Sequence, residues 1–69
     1  MKLSARNVLK GRVKGVHLGE VNAEVIIELP GGAEIVSVIT KSSVASLGLA
    51  VGGTAYAVIK ASNVIVAVE

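Results

Sequence analysis

An all-β fold carrying one short helix is what this chain predicts, on three observations. Its apolar residues are mostly Val, Ile and Ala, with Tyr56 the single aromatic, and β-branched side chains favour strands over helices. Short runs that alternate, or are apolar on both parities, recur along the chain between glycine-containing breaks. Only one segment, residues 42–47, carries the start and stop signals of a helix.

Taken in order, residues 7–18 alternate, with Lys10, Arg12 and Lys14 on one parity and Leu9, Val13 and His17 on the other. That predicts a strand with one wet face and one buried face, and Gly11 and Gly15 predict bends or bulges within it. Gly19-Glu20 predicts a turn into a second strand over residues 21–29. Its inner face is Val21, Ala23, Val25, Ile27 and Leu29, with Asn22, Glu24 and Glu28 outside. Pro30-Gly31-Gly32 is the strongest turn signal, because Pro pre-sets one dihedral and Gly accepts positive φ. Residues 33–39 return as a third strand, apolar on both parities. The helix is capped by Thr40 or Ser42 and stopped by Gly48. Gly52-Gly53 then turns the chain into a fourth strand, residues 54–60, and residues 64–68 predict a fifth. Five short strands with one helix between the third and fourth predict a small OB-like, five-stranded Greek-key barrel.

At 69 residues the chain predicts a single domain, 1–69. It has no cysteine, so neither disulfides nor thiolate metal cages staple it. Hydrophobic residues make up 52% against 17% charged, and mean hydropathy is +0.73, too apolar for a lone small domain to cover. Association into a homo-oligomer is the expected remedy, with the third and fifth strands, apolar on both faces, meeting other subunits. No apolar run approaches the roughly 20 residues of a membrane span. The start Met1-Lys2-Leu3-Ser4 is too short and polar for a signal peptide, so a cytoplasmic location without a membrane partner is expected.

Catalytic groupings are scarce, and an enzyme is not expected. There is no Cys, Asp or Trp, and His17 is the only histidine, without a partner at metal-ligand spacing. Direct ligation of a bare metal ion by protein side chains is therefore not expected. No nucleophile motif or phosphate-binding glycine loop occurs. The basic stripe Lys10, Arg12 and Lys14 offers one alternative, a small OB-type nucleic-acid-binding module. Such surfaces stack bases on aromatic rings, and Glu24, Glu28 and Glu34 on neighbouring strands can neutralise the stripe. A charge-paired face without nucleic acid is the preferred reading.

More informative are two similar tetrapeptides, Ser4-Ala5-Arg6-Asn7 before the first strand and Lys60-Ala61-Ser62-Asn63 after the fourth. Each sets a hydroxyl and a cation two residues apart, hence on one face of extended chain. Facing each other across touching chains, they would supply two positive charges and two hydroxyls with no carboxylate among them. A pocket in which every group donates suits a fully deprotonated oxyanion.

These segments carry a resemblance. The opening Lys-Leu-Ser-Ala-Arg-Asn-Val-Leu-Lys-Gly with Val13 resembles the start of the small molybdenum-pterin-binding (Mop, or molbindin) proteins. Residues 38–43, 46–49, Gly52, Tyr56 and 59–65 resemble the rest of that module, also known as a TOBE domain. The resemblance implies a cytoplasmic binding protein for molybdate and tungstate. It further implies OB-like subunits in a homohexamer, a trimer of dimers, with the oxyanion at subunit interfaces. By position, Ser4, Arg6, Lys60, Ala61 and Ser62 match the oxyanion-binding segments. Thr40 and Ser43 match a secondary element at the helix start, and Gly19 and Glu20 lie where the family offers backbone N–H groups. The free anion ranks above a molybdopterin, because the chain offers few aromatic surfaces for stacking a pterin.

Overall fold

The computed structural model describes all 69 residues. Four strands and one helix follow in the order β1 (Asn7–Leu18), β2 (Asn22–Glu28), β3 (Glu34–Thr40), α1 (Lys41–Leu47) and β4 (Thr54–Ile59). A single 3-10 turn, Ala61–Asn63, follows β4. The strands form one antiparallel sheet in the order β3-β2-β1-β4.

Strand β1 is long because it serves two partners in succession. From Asn7 to Arg12 it pairs with β4, and from Arg12 to Leu18 with β2. This change of partner curls the sheet, and the crossing point tolerates no side chain. A Cβ added at Gly11 would lie 2.6 Å from both the Glu28 carbonyl oxygen and Ile27 Cγ2. Just past it, Val13 is 1% exposed and anchors a core of Ala23, Val25, Ile27, Val44 and Ala57.

Lys14 is an extra residue in β1, since Val13 pairs with Ile27 and Gly15 with Ile26. A bulge of this kind flips the side-chain parity beyond it. Val16 therefore packs against the core and His17 is exposed, which corrects the inward placement that unbroken alternation gave His17. Helix α1 begins at Lys41, where the Thr40 hydroxyl accepts from the Ser43 N–H at 3.1 Å. Gly48 ends it in the left-handed region (φ 63°), where a residue without Cβ is least strained. Val44 docks the helix onto the core.

The barrel has four strands rather than five. Residues 64–68 leave the turn in extended chain and pair with nothing. Their β-propensity is high, but a strand exists only where an edge pairs with it, and no edge of this chain lies alongside. Val21, expected on the inner face of the second strand, precedes β2 and is exposed.

The packing at the crossing sets an expected outcome. Gly11→Ala should lower unfolding free energy by about 1–3 kcal/mol or more, the cost of overpacking against backbone that cannot move aside. Gly15→Ala should cost less than about 1 kcal/mol, because its nearest neighbour is the swinging tip of His17 at 3.1 Å. Urea denaturation of the two variants checks the contrast.

Candidate functional site

The two tetrapeptides meet at one end of the β1–β4 ladder. Its last pair is Asn7 with Ile59, and the Asn7 side-chain amide donates to the Ile59 carbonyl at 3.2 Å. Arg6 and Lys60 are the next residues outward on the two sides of that last pair. The motifs read in mirrored order, hydroxyl–Ala–cation and cation–Ala–hydroxyl. The segments thus adjoin at this end of the ladder within a single chain.

Beyond Lys60 the backbone leaves the ladder and winds the Ala61–Asn63 turn. Asn63 N–H donates to the Lys60 carbonyl at 2.9 Å, and Val64 N–H to the Ala61 carbonyl at 3.2 Å. The N–H groups of Ala61 and Ser62 donate to no protein acceptor. Ser4, Arg6, Lys60, Ala61 and Ser62 are all exposed to solvent.

Carboxylates pair with cations only at the middle of the sheet. Arg12 pairs with Glu28 at 3.3 Å, and Lys14 with Glu28 at 3.8 Å and with Glu34. The hydrogen bond to Glu34, then its charge, hold the Lys14 amine above its usual value of 10.5. Two of the three stripe cations are thereby neutralised, as cross-strand pairing predicted. Neither Arg6 nor Lys60 has a carboxylate partner. Arg6 and Lys60 carry like charges where the two segments adjoin, and like charges brought close together repel.

The secondary residues lie elsewhere. They gather at the far end of β1, twelve residues away, at roughly 3.3 Å per residue well beyond the reach of one small anion. Glu20, Thr40, Lys41 and Ser42 line an open depression of about 530 Å³. The Thr40 hydroxyl lies 2.7 Å from that of Ser43 and 3.2 Å from that of Ser42. The Gly19 N–H, expected to face a ligand, is already donated to the Asn22 carbonyl at 2.8 Å, and Glu20 adds an acceptor-only carboxylate. Sequence reading overlooked Asn7 as the tie between the segments; the Asn closing both tetrapeptides was its signal.

The fold is a small curled β-sheet with unpaired cations and hydroxyl donors at one ladder end. Residues 3–66 match the TOBE domain family, and the chain belongs to it, among the molybdenum-pterin-binding (Mop) proteins. It is 49% identical to a probable molybdenum-pterin-binding protein of Haemophilus influenzae, over the full length of both chains. MopII from Clostridium pasteurianum superposes with a TM-score of 0.91 at 43% identity, covering 97% of this chain and all of that one. The cytoplasmic molybdate-binding protein ModG, solved with molybdate bound, gives a TM-score of 0.91 at 60% identity. That match covers 94% of this chain and 46% of ModG. These relatives bind their ligands and are not enzymes, and no helix of this chain is long and apolar enough to cross a membrane.

The charge conflict has a measurable consequence without ligand. At low salt Arg6→Gln should melt no lower than the parent chain, and added salt should narrow the difference by screening the repulsion. Scanning calorimetry along a salt series checks this, and a lower melting point for R6Q at low salt counts against the opposed cations.

Proposed function

We propose that this chain binds molybdate, and tungstate equally, at the Arg6–Lys60 end of its sheet. We propose further that it does so as a cytoplasmic homo-oligomer, a hexamer built as a trimer of dimers, that stores or buffers the oxyanion. The observation that carries this is the Asn7–Ile59 pair, which brings the Ser4–Arg6 and Lys60–Ser62 segments to one end of the ladder, where neither cation has a carboxylate partner. The site binding of ModG, its similarity over 94% of this chain and its cytoplasmic setting support the reading.

Selection follows from charge and protonation. Arg6 presents a planar fork of donors and Lys60 a compact ammonium, and together they match a dianion. Ser4, Ser62 and the free N–H groups of the turn reach the remaining oxygens. Near neutral pH phosphate carries a proton that demands an acceptor, and leaving it unpaired costs ~1–3 kcal/mol. Sulfate has the charge of molybdate, so only size rejects it. Molybdate and tungstate are nearly the same size, which is why one site takes both. A pterin would need a stacking face, and Tyr56, the one aromatic ring, stands three residues inside the ladder from Ile59. The free anion is therefore the proposed ligand.

Assembly gives the secondary residues their role. Thr40 and Ser43 are separated from Arg6 by the length of β1, so they approach the same anion only from a second chain. A nucleic-acid reading of Lys10, Arg12 and Lys14 has no observation in its favour, since Arg12 and Lys14 are already paired.

Titration calorimetry tests the site. Arg6→Ala and Lys60→Ala should each weaken molybdate binding about 10- to 100-fold, the loss of a charge-assisted hydrogen bond worth ~1.5–3 kcal/mol. Unchanged affinity in both variants places the ligand elsewhere. Molybdate at about 100 times its dissociation constant should add about 2.7 kcal/mol to stability. A melting curve that saturating molybdate does not move refutes binding to the folded chain.

A further inference from the structure

Selection by size demands a cradle that does not adapt. Sulfate and molybdate carry the same charge, so a site free to contract around the smaller anion discriminates little between them. The proposed lining is loosely held for that task. The side chains of Ser4, Arg6, Lys60 and Ser62 make no hydrogen bond within the chain. Strand β1 starts only at Asn7, and no backbone hydrogen bond outside the ladders involves residues 1–6. Arg6 and Lys60 also repel where their segments adjoin. With nothing further to hold it, such a ladder end frays.

One contact opposes the fraying. Asn7 Nδ2 donates to the Ile59 carbonyl at 3.2 Å, across 52 positions of sequence. A carbonyl only accepts, so the amide nitrogen of Asn7 must be the atom that faces it. No other hydrogen bond between a side chain and the backbone joins distant parts of the chain; the remaining two span three residues each. Asn7 and Ile59 are both half-buried, which limits competition from water. Position gives the bond its leverage. The Ile59 carbonyl and the Lys60 N–H belong to one planar peptide unit, so holding the carbonyl orients the plane from which Lys60 departs. Arg6 adjoins Asn7 on the other side. The second tetrapeptide closes on Asn63, whose exposed side chain makes no hydrogen bond. The two asparagines are alike in sequence and different in role.

We propose that Asn7 determines the anion specificity of the site, as a positioning residue that fixes the spacing of the Ser4–Arg6 and Lys60–Ser62 segments at the width of the larger dianion. It touches no ligand and acts through Ile59. The proposal rests on the molybdate reading given above. With the tie in place, sulfate meets donors set too far apart to engage together. Without it the segments close on either anion. Molybdate then loses the benefit of a preformed site, and sulfate loses its penalty.

Competition titrations of molybdate against sulfate on the full chain test this. Asn7→Leu keeps the approximate volume of the side chain and removes the donor. Its molybdate affinity should fall about 2- to 10-fold, as for the loss of one hydrogen bond, and the molybdate-to-sulfate affinity ratio should fall by a similar factor. Val44→Ala, which thins the core beneath α1, should lower the melting point and leave the ratio unchanged. An unchanged ratio in Asn7→Leu overturns the proposal, even where both affinities fall together. An equal fall of the ratio in Val44→Ala overturns it too, because loosening anywhere would then suffice. A second measurement needs no variant. In the unliganded parent chain, the side-chain amide protons of Asn7 should exchange with water at least about tenfold more slowly than those of Asn63; equal rates overturn the tie. A parent chain that binds no molybdate overturns the function proposed above and this proposal with it. Molybdate binding by the parent with an unchanged ratio in Asn7→Leu overturns this proposal alone.

Discussion

Because β1 and β4 run antiparallel from Asn7 opposite Ile59 to Arg12 opposite Thr54, whatever precedes Asn7 must meet whatever follows Ile59. That geometric constraint brings residues more than fifty positions apart in sequence to one place. The ladder itself depends on Gly11, where β1 passes over the Glu28 carbonyl too closely for a Cβ. A side chain there would push β1 off β2 and tilt the β4 ladder with it. The site at one end of the sheet is thus held by packing in its middle.

The carboxylates divide the cations into two populations. Glu28 and Glu34 lie beside Arg12 and Lys14 and neutralise them, fixing the register of β1, β2 and β3 at the sheet surface. Such exposed pairs contribute little to stability. Arg6 and Lys60, at the end of the β1–β4 ladder, are among the cations left without such a partner. For a chain of net charge +2, that leaves a local positive field without a strongly basic protein.

Much of this was legible in the sequence, and the failures share a cause. Turns set by Pro30-Gly31-Gly32 and Gly52-Gly53, the Thr40 cap and the Gly48 stop are local chemistry, and local chemistry reads directly. Lys14 has no local signature as a bulge, since lysine continues the alternation equally well; only the pairing with β2 reveals that it has no partner. His17 was misplaced for that reason. The fifth strand failed differently, because propensity describes residues 64–68 correctly while a strand also requires an edge. The hydroxyl-and-cation pairs were readable as a donor set. Their union within one chain was not, because it is a property of register. Gly19 shows the same limit at smaller scale: its place in the first hairpin is legible, but the donation of its N–H to the Asn22 carbonyl is not.

Size and charge then pull in opposite directions. A 69-residue chain without disulfides, buried fully at only six positions, gains stability by covering the apolar surface of β3, β4 and its tail. Covering that surface with further copies concentrates Arg6 and Lys60, and each added chain brings its +2 charge. Repulsion between exposed cations is modest and screened by salt, but it grows as chains close over them and water leaves. A divalent oxyanion that accepts every offered donor converts that growing penalty into attraction. On the proposed function, the like charges that make the isolated ladder end unfavourable would be the ones that couple oxyanion binding to association.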